Sequence, residues 1–233
     1  MNNITYTVGL GTFCMTSNMF KSLNKKMFSC PFDWILSDID MVTDCIEDKF
    51  YKLMNKDNYE EIILEGNKFV HHKAYPQYIN TKKGQKLYTR FIHHNPLLKE
   101  DHYNYFTRCV DRFKKVMDSE KKKLFLCIDN KIPLNVNIEK YINLDNCIGN
   151  NTTNYMLIVI LIHPRSCYKS NIKFFRKNVG RIKINHKTDN MIIYDLYAMS
   201  FCKNGLNFSN DKDNQNIKDI IESFNYCLED ITI

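Results

Sequence analysis

Covalent chemistry at neutral pH needs a nucleophile and a base, and this chain carries nine cysteines and seven histidines. One cysteine stands apart by its setting. Cys14 follows Gly9-Leu10-Gly11-Thr12-Phe13 and precedes a segment, 14–23, in which Met15, Met19, Phe20 and Leu23 share a helical face. Residues 4–11 read as a short strand ending in glycines. A thiol between that strand and that helix lies at the positive end of the helix dipole, where free N–H groups favour thiolate and can hold an oxyanion. A nucleophile elbow has the same logic. This reading predicts a lowered thiol pKa at Cys14 alone. The competing reading is a buried, inert thiol, the common state of free cysteine.

A thiol nucleophile needs an imidazole within hydrogen-bond reach, itself oriented by a third group. Two histidine pairs occur, His71-His72 and His93-His94. Adjacent strand residues face opposite ways, so each pair directs one ring inward. His93 or His94 can serve as the base. Asp129, after the apolar run Leu124–Ile128, or Asp33 can orient it. Asp33 sits in Pro31-Phe32-Asp33-Trp34, with the only tryptophan of the chain. There it can bond backbone N–H groups of a rigid aromatic turn or act as a catalytic carboxylate. No HxH, HExxH or C-x-x-C spacing occurs, so neither a metal nor a cofactor is expected. Gly9-x-Gly11-x-x-Cys14 lacks the third glycine of a dinucleotide fingerprint.

The elements that must position these groups alternate. Helices are expected over 38–54, 100–118, 137–144 and 214–228. Strands are expected over 68–72, 87–93, 124–128, 155–162, 181–184 and 191–197. Residues 55–89 otherwise read as irregular. Continuously apolar strands between amphipathic helices predict an α/β three-layer domain, 1–233, with a largely parallel or mixed central sheet. Sites in such sheets form at the carboxyl ends of the strands. Cys14, His93, His94, Asp129 and His163 all fall at such ends.

Composition sets the limits. The chain has 233 residues, 44% hydrophobic and 25% charged, which excludes disorder, collagen-like repeats and coiled coils. The longest apolar run, 155–162, is too short to span a bilayer. The N-terminus lacks the basic and apolar regions of a secretory signal, so reduced thiols and a cytoplasmic location are expected, including the cytoplasm of a virus-infected cell. Abundant Asn, Ile and Lys, with alanine only at 74 and 198, point to an AT-rich genome. The net charge of +7 is concentrated: residues 165–187 hold eight Lys/Arg and no Asp/Glu. That surface suits an anionic partner such as nucleic acid, phospholipid or an acidic protein, or is simply a solvated edge strand.

Gly9-Leu10-Gly11-Thr12-Phe13-Cys14, then Phe28-Ser29-Cys30-Pro31-Phe32-Asp33-Trp34-Ile35, then Arg90-Phe91-Ile92-His93-His94-Asn95-Pro96-Leu97 resemble a family from bacteria and large DNA viruses described as papain-like cysteine peptidases. The resemblance covers residues 5–128, continuing over Arg108, Arg112-Phe113 and 123–126. Gly9 stands where that family usually has Ser. The resemblance implies a nucleophile at Cys14 and a base at His93 or His94. In papain-like folds the cysteine heads a helix packed on an antiparallel sheet, whereas the strands here read as parallel, and the α/β pattern decides the fold expectation.

The leading expectation is a cysteine-dependent hydrolase or acyl-transfer enzyme acting on a peptide or other acyl substrate. Two alternatives stand beside it. One is a non-catalytic binding protein using the basic 165–187 surface. The other is a nucleotide- or sugar-type transferase on a doubly wound sheet, by fold analogy alone.

Overall fold

An eight-residue apolar strand can be satisfied only by cover on both of its faces. The computed structural model supplies that cover; it describes residues 3–64, 66–81, 84–130, 136–164, 172–200, 202–203 and 205–231. In chain order the first elements are β1 (Tyr6–Gly9), α1 (Met15–Ser22), α2 (Ile39–Glu47), α3 (Tyr51–Met54) and a 3-10 turn at Lys56–Asn58. Two hairpins follow, β2 (Tyr59–Leu64) with β3 (Asn67–His72), and β4 (Gln77–Thr81) with β5 (Gly84–Tyr88). Then come α4 (Glu100–Asp118), β6 (Lys123–Asp129), α5 (Glu139–Asn151), β7 (Tyr155–Ile162) and α6 (Ile172–Asn178). The chain closes with β8 (Ile182–Lys187), β9 (Met191–Leu196), a short pair β10 (Cys202–Lys203) and β11 (Asn207–Phe208), and α7 (Asp211–Glu222).

The central sheet has the order β1-β6-β7-β9-β8. The first four strands are parallel, and β8 pairs antiparallel on the edge of β9. The mixed, largely parallel α/β expectation therefore holds. Strand alternation divides the core in two. Phe125, Cys127, Leu157, Val159 and Leu161 pack with Val42 and Cys45 of α2, Phe106 and Phe113 of α4, and Leu144 of α5. Leu124, Leu126, Ile128, Ile158, Ile160 and Ile162 pack with Met15, Met19 and Phe20 of α1 and Ile217 and Ile221 of α7. Each fully buried side chain of this size contributes about 1.5–3 kcal/mol. Among the described residues the parallel strands cross the sheet in one sequence direction. The reversal of order that opens a nucleotide crevice in doubly wound sheets is missing from them.

Several expectations are corrected. The helix over 38–54 breaks where Lys49 and Phe50 take positive φ values of 55° and 66°. The break turns Phe50 inward, its ring 5.1 Å from Phe113 and 5.7 Å from Phe32. Residues 55–89 are mostly hairpin, not irregular. The strand over 87–93 ends at Tyr88. Beyond it Thr89 Oγ1 donates to Val70 O at 2.6 Å and accepts the Phe91 N–H at 2.9 Å, which turns the chain off the strand. The short helix expected over 137–144 runs over Glu139–Asn151, and the last helix spans Asp211–Glu222.

Candidate functional site

The first turn after β1 is shaped by two glycines. A Cβ on Gly11 would lie 1.9 Å from Thr16 Oγ1 and 2.7 Å from Thr16 Cβ, and one on Gly9 would lie 2.9 Å from Asp33 Oδ1. Both contacts are closer than side chains tolerate. The Gly-x-Gly spacing thus lets α1 and the aromatic turn close onto the end of β1 and is not a phosphate cradle. Ser37 Oγ donates to Gly11 O at 2.7 Å, and Ser37 N donates to Thr12 O at 3.1 Å, which anchors the turn from the far side.

Cys14 is the N-cap of α1, so the thiol heads the helix as expected from its position. Its residue is 4% exposed. His93 Nε2 lies 3.4 Å from Cys14 Sγ. The His93 ring stands edge-on to Trp34, with centroids 5.6 Å apart at 86°. Residues 79 positions apart in the chain thereby form a thiol–imidazole pair with an indole wall. His93 itself is exposed, so the pair is open to solvent on the imidazole side.

The thiol's electrostatics differ from the sequence expectation. Burial pushes the Cys14 thiol above its ordinary value; its own backbone N–H pulls it back in part, and the negative charge of Asp33 adds to the rise. Desolvation outweighs the donors at the helix end. The resting thiol therefore holds its proton until a base takes it.

Arg90 holds the His93 loop in place. It is 4% exposed. Its Nε donates to Tyr75 O at 2.7 Å and its Nη1 to Leu36 O at 3.0 Å. Its Nη2 donates to Asp38 Oδ2 at 2.8 Å and to Pro76 O at 3.1 Å. Leu36 N returns a bond to Arg90 O at 2.8 Å. Phe91, next along, packs on Tyr59 and Phe106. Sequence reading gave Arg90 no part in the site; its planar fork of donors answering several carbonyls is visible only once the loops meet.

The other candidate residues make their polar contacts outside the Cys14–His93 pair. His94 stacks on Tyr105 with centroids 4.4 Å apart and meets His102 edge-on at 4.9 Å. Burial lowers its pKa, with help from the neighbouring His102 and His93. Asp129 Oδ2 accepts from Tyr141 Oη at 2.6 Å and from Lys140 Nζ at 3.1 Å, on the α5 side of the sheet. Asp33 is buried, ion-paired with Lys26, and accepts the Cys30 N–H at 2.7 Å. Burial raises its carboxyl above the usual range, and Lys26 opposes that rise. Lys26 also donates to Ser17 Oγ at 2.7 Å and lies 5.8 Å from the Trp34 ring centre. Among the described residues His93 has one polar partner, the Cys14 sulfur. The described side chains hold no group of three or more metal-binding residues.

A carboxylate–imidazole pair that the sequence did not reveal lies at β7 and β9. His163, just past β7, places Nε2 2.8 Å from Asp195 Oδ1 of β9 and stacks on Tyr197. Asn185 Nδ2 donates to Asp195 Oδ2 at 3.0 Å. β7 is two strands from β1, about 10 Å away, so this pair is a separate cluster. Of the basic segment, residues 165–171 lie outside the described residues. The rest forms α6, with Lys173, Arg176 and Lys177 exposed, and edge strand β8.

The GLGTFC turn and the His93 loop thus bring the thiol and the imidazole together. One family model matches residues 5–143, more than half of the chain, and its description is "Putative papain-like cysteine peptidase". The chain belongs to this family. No curated protein and no solved structure matches it. The family region runs from β1 into the first turn of α5 and so contains Cys14, Trp34, Arg90 and His93. Unlike the antiparallel papain arrangement, helix α1 here packs on a parallel sheet. No helix among the described residues is long and apolar enough to cross a membrane.

Proposed function

We propose that the protein is a cysteine-dependent hydrolase or acyl-transfer enzyme that uses a Cys14–His93 dyad on a peptide or isopeptide carbonyl. The observation that carries this reading is the 3.4 Å approach of His93 Nε2 to Cys14 Sγ at the head of α1.

The raised thiol makes the imidazole the working base. His93 takes the Cys14 proton as sulfur attacks the carbonyl carbon, and the carbonyl electron pair moves onto oxygen. Backbone N–H groups at the start of α1 would supply the donors for that oxyanion. His93, now protonated, gives its proton to the leaving nitrogen as the carbon–nitrogen bond breaks. Water, or an acceptor amine in acyl transfer, then attacks the thioester with His93 again as base. Trp34 limits rotation of the His93 ring, the task a third polar residue performs in a triad. Arg90 is a positioning residue that acts through the loop. Asp33 and Lys26 brace the Trp34 turn.

The test is cleavage of a proteome-derived peptide library by the wild-type protein and by Cys14→Ala, His93→Ala and His94→Ala. Loss of cleavage in the first two with retention in the third supports the reading. Cleavage that survives Cys14→Ala removes it.

A further inference from the structure

Along α1 the residues at positions i, i+4 and i+8 from the nucleophile are Cys14, Asn18 and Ser22, one line on one helix face. Asn18 and Ser22 open into a cavity of about 830 Å³ between α1, β11 and the start of α7. The cavity begins one helical turn, about 6 Å, from Cys14. Gly205, between β10 and β11, brings that turn close to the residue before the nucleophile: a Cβ there would sit 3.5 Å from the Phe13 ring.

The lining has a defined chemistry. It is built from side-chain amides and hydroxyls, with charge only at Asp211 and Lys218 and an apolar face from Leu206. The amides hold one another in place. Asn18 Nδ2 donates to Asn207 Oδ1 at 2.9 Å and to Leu206 O at 3.3 Å. Asn214 spans the Phe208 backbone, accepting its N–H at 2.8 Å and donating to its carbonyl at 3.0 Å. This arrangement leaves Asn18 Oδ1 as an acceptor and Asn207 Nδ2 as a donor, adjacent and fixed. One acceptor beside one donor complements the N–H and C=O of a peptide unit.

We infer that this cavity is the subsite for the polypeptide chain of the substrate, bound through its backbone amides by Asn18 and Asn207 with a side chain against Leu206. The inference rests on the Cys14–His93 reading, since it places the scissile carbonyl at Cys14. It adds the direction in which the substrate leaves the dyad and the neutral, backbone-reading character of its recognition.

Two electrophiles separate this inference from the reading beneath it. Iodoacetamide needs only the thiol and its base. A library of N-acetyl tetrapeptide vinyl sulfones needs the thiol and the subsite. Rates of labelling at Cys14 are measured by mass spectrometry for the wild-type protein, for Gln215→Trp, which fills the cavity from an exposed helix position, and for Asn207→Ala. The expected result is a drop of about tenfold or more in vinyl sulfone labelling in both variants, with iodoacetamide labelling within about twofold of wild type. If both electrophiles label Cys14 and neither variant slows the peptide probe, the subsite is overturned and the dyad stands. If Cys14 resists both reagents in the wild-type protein, the dyad and the subsite fall together.

Discussion

Arg90 and Leu36 exchange two hydrogen bonds, Leu36 N–H to Arg90 O at 2.8 Å and Arg90 Nη1 to Leu36 O at 3.0 Å. Leu36 ends the turn that carries Trp34, and Arg90 begins the loop that carries His93. The pair therefore ties the two walls of the site to each other. Replacing Arg90 by Met leaves the carbonyls of Tyr75, Leu36 and Pro76 without their shared donor. The expected cost is about 3 kcal/mol or more, read as a fall in the denaturation midpoint. Arg90→Lys restores charge but not the fork and should recover only part of that loss. Thiol labelling under conditions where the variant is folded should also slow at Cys14. Unchanged stability and unchanged labelling in Arg90→Met would remove the positioning role.

Gly11 tests the close approach of α1 to β1. Gly11→Ala drives a methyl into Thr16, whose Oγ1 can turn aside but whose Cβ is fixed to the helix backbone. A destabilisation of about 2–4 kcal/mol is expected, together with slower labelling of Cys14. Thr16→Ala in the same chain removes the nearer clash at Oγ1 and leaves the one at Cβ, so it should recover part of the loss. Full tolerance of Gly11→Ala would contradict the packing.

The expected fold and the observed one agree where burial is complete. The strands at 124–128 and 155–162 were legible because apolar runs with two covered faces need no partner to be recognised. Helix α4 was legible from Phe106, Val110 and Phe113 on one stripe. The hairpins over 59–88 were not, because they are largely exposed, with Glu60, Glu61, Lys68 and Lys86 interrupting any period-two pattern. Cys14 and His93-His94 could be picked out by residue type and place. Choosing between the two imidazoles could not be done by strand alternation, because the segment is a loop whose direction is set by Thr89 and Arg90. Asp33 and Asp129 are ordinary carboxylates in sequence; only packing shows Asp33 with Lys26 and Asp129 with Tyr141.

His72 gives the fold a dependence on acid. It is fully buried, its Nε2–H donates to Lys52 O at 3.1 Å, and its Nδ1 accepts the Tyr75 N–H at 3.2 Å. Protonation at Nδ1 would set two donors against each other. Burial lowers this pKa to about 4, with the backbone acceptors opposing and Arg90 and His71 adding to the fall. The unfolded chain then binds more protons than the folded one between about 4 and 6.5, so stability rises with pH across that window. The stabilisation is lost as pH falls from about 6.5 to 4, by at most about 3 kcal/mol. His71, also lowered by burial, acts in the same direction. Thermal midpoints from pH 7 to 4.5 should fall steeply in the wild-type protein and less in His72→Gln. Equal slopes would show that His72 does not titrate in this way.

The central claim is that His93 activates Cys14, and the pH profile of alkylation at single cysteines tests it most directly. Reduced protein is pulsed with sub-stoichiometric iodoacetamide from pH 5 to 9, with exposed Cys227 as the ordinary thiol for reference. The account predicts that Cys14 keeps its reactivity well below pH 8, where an unassisted buried thiol would have lost it. It predicts that His93→Ala loses this limb by about tenfold or more and leaves only the rise of a buried thiol at high pH. Cys14 labelling that is no faster than Cys227 below pH 8, or that is the same with and without His93, would contradict it.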